Sequence, residues 1–399
     1  MAPRKATPIN VAKYRSKPHH PVASSPRSFG AHRLPVNFQT IVDGNTHPLQ
    51  PWRDLPPAIG PAPYRMALSS ILDQASMDSI TQSGVMVFHT VGDTGGVNTP
   101  TQIENVAAYM ETDFTSPDIT THPSFFYHLG DVVYYDGEIA NYYPEFYEPY
   151  MHYPGPIVAI PGNHDGDVNS QTGESSLQGF VRNFCSQAPL HSPDAHDAPR
   201  TAMTQPNVYW TLLTPLVTII GLYSNCPEGG VLSPAQISWF ESELSAAPKD
   251  RAVIVAVHHP IYSAFGNKPG SQHLYGTLQA SVKAVGRVPE LVLSGHVHNY
   301  QRFNAQLNGK DVPMIVAGAG GYNARLHVLH KAFHTTKLPV TMPGAGGTLE
   351  GFCDDRHGYL RITVTAKSIA CEYIAVPDPQ TTVKGPLKPF DSLTIKTKY

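Results

Sequence analysis

Five short apolar runs in this chain each end in a residue able to bind a metal ion. Val85–Val91 runs into Gly92-Asp93, Phe125–Leu129 into Gly130-Asp131, and Ile157–Ile160 into Pro161-Gly162-Asn163-His164. Val253–Val257 runs into His258-His259, and Leu291–Leu293 into Ser294-Gly295-His296-Val297-His298. Runs of this length and composition read as buried strands. In α/β sheets, ligands collect beyond the carboxyl ends of the strands. Glycine just before a ligand permits a sharp turn and a close backbone approach. Asp, Asn and His brought to one edge make a set of hard and borderline donors. Taken singly, Gly-Asp after a strand is an ordinary turn, and a lone strand-end histidine is usually a satisfied core residue. Gly-Asn-His-Asp and Gly-His-x-His are more specific strings. All five in order at five strand ends make coincidence a poor account.

Helical patterns separate the first strands, so the order strand, helix, strand, helix, strand predicts parallel pairing with crossovers. Helices are expected over Tyr64–Ile80, Thr101–Tyr109, Asn141–Met151 and Leu274–Val285. Ser233-Pro234 opens another, with serine as N-cap and proline at the first helical position. Asp165 to Pro206 reads as a long loop with a short helix at Leu177–Phe184, of the kind that covers a site or selects a substrate. Val208–Leu213 and Leu216–Leu222 predict a hairpin about Thr214-Pro215. Met314–Val316, Tyr359–Thr365 and Ser368–Ile374 predict later strands, the last two paired.

The chain has 399 residues and a formal net charge of −3, with no basic stripe of the kind that binds nucleic acid. Residues 1–63 hold twelve prolines, and the first 33 hold seven Lys or Arg with no acid before Asp43. They are read as a basic, proline-rich arm, with a catalytic domain over 64–375 and a proline-rich, peripheral tail over 376–399. No apolar run approaches the ~20 residues of a membrane helix, so no membrane partner is expected. The first thirty residues lack the apolar core of a secretory signal. The four cysteines, Cys185, Cys226, Cys353 and Cys371, are widely spaced and read as buried free thiols, with a pair of disulfides as the alternative. Together these features point to the cytoplasm.

With its five motifs in this order, the chain resembles the calcineurin-like metallophosphoesterase superfamily over roughly Val85 to Tyr373, and looks closest to the purple acid phosphatase branch. The superfamily opens with Asp-x-His, and here Gly95 stands at the histidine position. Purple acid phosphatases also lack that histidine and use a tyrosine three residues after the bridging aspartate, where this chain has Tyr134. The resemblance implies a mixed α/β fold, a central β-sandwich flanked by helices, with the metal site at the carboxyl ends of the strands. It implies that Asp93, Asp131, Tyr134 and His298 hold a first metal, and Asp131, Asn163, His258 and His296 a second. Tyrosinate favours Fe(III) at the first position; Fe(II), Zn or Mn fits the second.

The implied activity is hydrolysis of a small phosphomonoester, a hydroxide from metal-bound water attacking phosphorus in line with the leaving group. A phosphodiesterase acting on nucleotides or phospholipid headgroups is the nearest alternative, and a non-catalytic metal-binding or signalling protein is an alternative of another class. His164 is expected to stabilise the transition state or protonate the leaving group, with Asp165 fixing its ring or a neighbour. Three departures from the purple type stand out. Asp165 replaces the usual Glu. The substrate histidines that follow the fourth motif are matched only loosely, by His259 and His273. The proline-rich arm is no match for the N-terminal β-sandwich domain of many plant members.

Overall fold

Side-chain alternation along the strands sorts the interior into two layers. The computed structural model describes residues 55–168, 171–225, 229–342, 347–381 and 387–397. Its strands begin with β1 (Arg65–Ala67), β2 (Val85–Val91), β3 (Pro123–His128), β4 (Ile157–Ala159), β5 (Trp210–Leu213), β6 (Val217–Leu222) and β7 (Ala252–Val257). They continue with β8 (Leu291–Ser294), β9 (Tyr300–Leu307), β10 (Lys310–Ala317), β11 (Val340–Thr341), β12 (Thr348–Cys353), β13 (Gly358–Thr365), β14 (Ser368–Ala375) and β15 (Asp391–Lys396). A six-stranded sheet has the order β15-β14-β13-β2-β3-β4, and a nine-stranded sheet the order β1-β5-β6-β7-β8-β10-β9-β12-β11. β2, β3 and β4 are parallel, as are β6, β7, β8 and β10.

Phe88, Phe125 and Tyr127 of the first sheet pack with Trp210, Ile254, Leu291 and Leu293 of the second. Tyr127 and Trp210 stack across this interior at 5.8 Å. The alternate residues Phe126, Val253, Val255 and Val292 face outward into a second layer. The helices are α1 (Gln74–Ser83), α2 (Thr101–Thr112), α3 (Asn163–Gly166), α4 (Gln178–Phe184), α5 (Pro234–Ala246), α6 (Gln272–Val285) and α7 (Lys331–Thr335); α2, α5 and α6 add Ile103, Phe240 and Leu278 to the outward layer, while α1 adds Ile80 to the first. The result is the expected mixed α/β sandwich flanked by helices. Because both sheets carry parallel strands, the carboxyl ends of β2, β3, β4, β7 and β8 arrive at one end of it.

Some expectations need correction. Tyr64–Ile80 is not one helix: Arg65–Ala67 pairs with β5, and the helix starts after Asp73, whose side chain caps the Ser76 amide. The apolar spacing there reflects a strand and a short 3₁₀ turn in series. Asn141–Met151 winds instead as a 3₁₀ turn at Ile139–Asn141 and a wide π turn at Tyr143–Tyr147. Pro144 supplies no N–H, and Glu148 donates five residues back to Tyr143. The segment read as a peripheral tail contains β15. There Asp391 accepts from Arg302 Nε at 2.9 Å and from Tyr300 Oη at 3.0 Å, which fastens one sheet to the other. Residues 1–54 of the arm lie outside the described residues; Ile59 and Gly60 donate to the Pro206 carbonyl. Cys185, Cys353 and Cys371 are free and buried, and Cys226 lies outside the described residues. Among the described residues no helix is long and apolar enough to cross a membrane.

The long connection after α3 is pinned at its far end. Buried Arg200 donates to the carbonyls of Gly155, Tyr150 and Tyr153 at 2.9, 2.6 and 2.7 Å. Gln205 accepts from Ala159 N at 2.6 Å and donates to Ala159 O at 2.8 Å, doubling the backbone pattern of a neighbouring strand. Arg200→Met would leave three carbonyls without their donors. It is expected to lower the unfolding free energy by about 2–4 kcal/mol in a guanidinium titration.

Candidate metal centre

Three of the strand-end residues sit in left-handed backbone that side chains other than glycine seldom adopt: Asp93 at φ 58°, Asp131 at φ 52° and His296 at φ 68°. Such conformations persist where the surroundings over-determine them, and they cluster at functional sites. The surroundings here are hydrogen bonds between the turns. Asp93 N donates to Gly130 O at 3.0 Å and Gly295 N to His258 O at 3.0 Å. Asp93 Oδ2 accepts from His296 N at 2.7 Å, and Asp131 Oδ1 from His164 N at 2.9 Å. His128, at the end of β3, supports the same turn: its Nδ1 accepts from Gly130 N at 3.1 Å, and its Nε2 meets Thr94 Oγ1 at 2.9 Å.

The remaining donor atoms converge as two sets. In the first, Tyr134 Oη lies 3.3 Å from Asp93 Oδ1 and 3.2 Å from Asp131 Oδ2, and His298 Nε2 lies 3.3 Å from Asp93 Oδ1. In the second, His258 Nε2 lies 3.2 Å from the same Asp131 Oδ2, and His296 Nδ1 lies 3.0 Å from Asn163 Oδ1. Asp131, His258 and His296 offer ligand atoms all within 4.8 Å of one another. The nitrogens of His258 and His298 approach their carboxylates without hydrogen-bond alignment, and both are buried with no other partner. Donors bound to one ion at about 2.0–2.2 Å stand roughly 3 Å apart. The spacing and the orphaned nitrogens therefore fit metal ions. All seven residues expected as ligands are brought together.

Burial and charge act strongly here. Burial, countered by His258 and reinforced by Asp131, pushes the Asp93 carboxyl up to about 7. Burial opposes ionisation of Asp131 too, but His258 and His164 outweigh it and hold that carboxyl far below its usual range. Burial lowers His258, yet Asp131 overrides it and the imidazole rises to about 9. Burial, then the nearby Asp131, holds the Tyr134 phenol well above its ordinary value, so a phenolate forms here only against a cation.

The other expected residues divide. His164 places Nδ1 2.6 Å from the Tyr135 carbonyl, and its ring lies 4.5 Å from that of Tyr134. Asp165 does not fix that ring through this contact. Its carboxylate gathers the amides of Gly162 at 2.8 Å, Val132 at 3.0 Å and Val133 at 3.3 Å, joining the turns after β3 and β4. His259 is buried, with its ring 4.5 Å from that of His296 and Nδ1 2.9 Å from Ser224 Oγ; its Nε2 has no hydrogen-bond partner. His273 does not join the cluster. It stands exposed in the first turn of α6, where the Ser271 cap on Leu274 turns Leu274 inward and His273 out.

Four contributors had no sequence motif to mark them. Tyr322 lies 4.2 Å from the Tyr134 ring and 4.4 Å from that of His298. His327 stacks on His298 at 4.2 Å and accepts from its backbone N at 3.0 Å. Lys268 donates to the His296 carbonyl at 2.8 Å, and Ser224 orients His259. The one available signal was that Gly318-Ala319-Gly320-Gly321 must hold the chain close to β2, just ahead of Tyr322.

Residues 86–300 match the family of calcineurin-like phosphoesterases. No curated protein matches the chain in sequence. Among solved structures, it is similar to GAP50, described as the anchor in the inner membrane complex of Plasmodium, at 16% identity and TM-score 0.54, covering 79% of this chain and 90% of that one. It is also similar to the purple acid phosphatase PPD1 from yellow lupin (Lupinus luteus) seeds, at 17% identity and TM-score 0.54, covering 79% of this chain and 54% of the lupin chain, so it spans about half of that enzyme. PhoD is similar at 13% identity and TM-score 0.50, covering 78% of this chain and 70% of that one. At these identities the likenesses establish the fold.

Elemental analysis of the dialysed protein is expected to find about two metal ions per chain. Asn163→Ala should reduce that to about one, because only the second donor set loses an atom. Asp131→Asn, which weakens the oxygen facing both sets, should leave less than one.

Proposed function

The chain belongs to the calcineurin-like phosphoesterase family, and from that premise we propose that it hydrolyses phosphomonoesters at a dinuclear metal site. The observation that carries the reading is the position of Asp131 Oδ2, 3.2 Å from Tyr134 Oη and 3.2 Å from His258 Nε2. One carboxylate oxygen faces both donor sets, as a bridge between two ions requires. Asp93, Asp131, Tyr134 and His298 would hold the first ion, and Asp131, Asn163, His258 and His296 the second. The phenolate oxygen of Tyr134 favours Fe(III) in the first set; the second takes Fe(II), Zn or Mn. Bound ions supply Lewis acidity at the phosphoryl oxygens and lower the pKa of water.

The chain's own residues do the rest. Asp165 holds the turns carrying Asp131 and Asn163 in register. His164, through Nδ1–H to the Tyr135 carbonyl, is held with one ring nitrogen already donating. Held in this way, His164 is assigned to delivering a proton to the leaving alkoxide. His259, fixed by Ser224, keeps a buried nitrogen beside His296 and is assigned to orienting the second donor set.

Two other readings are separable by experiment. A phosphodiesterase would use the same donors and would prefer bis(p-nitrophenyl) phosphate to p-nitrophenyl phosphate. A non-catalytic role has a precedent in the description of GAP50 as an anchor; a metal-loaded chain inactive on both esters would favour it.

His164→Ala is expected to lower kcat on p-nitrophenyl phosphate by ~10²–10⁴-fold while metal content is retained; loss of both would make the residue structural. Aerobically purified protein should show a tyrosinate-to-Fe(III) absorption band in the visible. Tyr134→Phe should abolish that band, and a colourless wild-type protein with two metals would make Tyr134 a bystander.

A further inference from the structure

Lys268 lies in the Ile261–Gly270 connection between β7 and α6, and it is the only Lys or Arg between His258 and Lys283. The connection is fastened to the metal centre at two points. Lys268 Nζ donates to the carbonyl of His296 at 2.8 Å, which places the ammonium on the turn that carries two of the imidazoles. Lys268 N donates to Phe265 O at 3.1 Å, closing a turn that also carries the Phe265 ring. Phe265 stacks on His327 at 4.4 Å with 4° between planes, and His327 stacks on His298 at 4.2 Å with 9° between planes. His327 Nδ1 accepts from the His298 amide at 3.0 Å, so the stack cannot slide without losing a hydrogen bond.

We propose that Lys268 binds the phosphoryl group of the substrate as a dianion, so that this site selects phosphomonoesters over phosphodiesters by charge. The inference rests on the phosphomonoester reading above and assigns the residue that enforces it. A monoester and a diester bring the same phosphorus and nearly the same oxygens to the ions. They differ in one negative charge, because esterification of the second oxygen removes the ionisable proton. An ammonium held on the turn that carries His296 and His298 senses that difference, and one unit charge at contact distance is worth about tenfold or more in affinity. Phe265 and His327 are positioning residues for Lys268, since they hold the turn from which it reaches.

The test uses the metal-loaded full-length protein and two non-hydrolysable ligands, phenylphosphonate and its monomethyl ester, at mildly alkaline pH where the first is a dianion. By titration calorimetry, Lys268→Met should bind phenylphosphonate ~10-fold more weakly than wild type and the monomethyl ester within about twofold. Its ratio of kcat/KM for p-nitrophenyl phosphate over bis(p-nitrophenyl) phosphate should fall by a similar ~10-fold factor, and Lys268→Arg should restore most of both. Metal content should not change. Equal weakening of both ligands, no weakening of either, or loss of metal would overturn the proposal, the last by assigning Lys268 to holding the His296 turn. If the wild type binds phenylphosphonate but turns over neither ester, the hydrolase reading fails, and the binding contrast alone decides the role of Lys268.

Discussion

Three carboxylates, Asp93, Asp131 and Asp165, are wholly buried beyond the ends of three neighbouring strands, and the architecture around them follows from making that tolerable. A charge removed from water is stabilised only by partners that replace its hydration. Each carboxylate takes backbone amides from a turn other than its own. Asp93 takes His296 N, Asp131 takes His164 N, and Asp165 takes the amides of Val132 and Val133. The acids thus stitch together strand ends from both sheets. The remaining oxygens of Asp93 and Asp131 face imidazoles and a phenol. Amides alone do not balance three acids, which is why the geometry has the character of a cation cage.

Much of this was legible from local strings. The five apolar runs are buried on both faces and bounded by glycine, proline or polar residues, so their identity as strands and the place of their ends follow without tertiary knowledge. The strand-end candidates Asp93, Asp131, Asn163, His258, His296 and His298 follow with them, whereas Tyr134 stood out only through the resemblance to purple acid phosphatases. The later strands were harder. β9 and β12 alternate buried and half-exposed residues with Asn304, Gln306 and Glu350 among them, and their stability comes from pairing with each other rather than from composition. β15 hides in a proline-rich segment because Asp391 meets Arg302 nearly ninety residues away. Lys268, His327 and Ser224 are common residues in unremarkable strings, and only the fold brings them to the imidazoles.

The exchange of a histidine for a tyrosine near the first donor set has a steric basis. A Cβ at Gly95 would run into the Tyr134 ring, so the ring occupies the space a side chain at 95 would need. The two positions answer one another across a few ångströms. A side chain cannot be added at 95 without displacing the Tyr134 ring, so a glycine in the first motif is what this tyrosine requires.

The side chain of Gln205 has a consequence beyond stability. β4 closes the six-stranded sheet on one side, and sheet borders are where separate chains add strands to one another. The amide of Gln205 meets both backbone groups of Ala159 on that border, and Trp210 Nε1 adds a second donor to the same carbonyl at 3.0 Å. A single buried side chain thus stands in for a neighbouring strand at that border. A strand approaching Ala159 from that side finds both of its backbone groups already engaged, so the pairing pattern of the sheet ends on a side chain rather than on water.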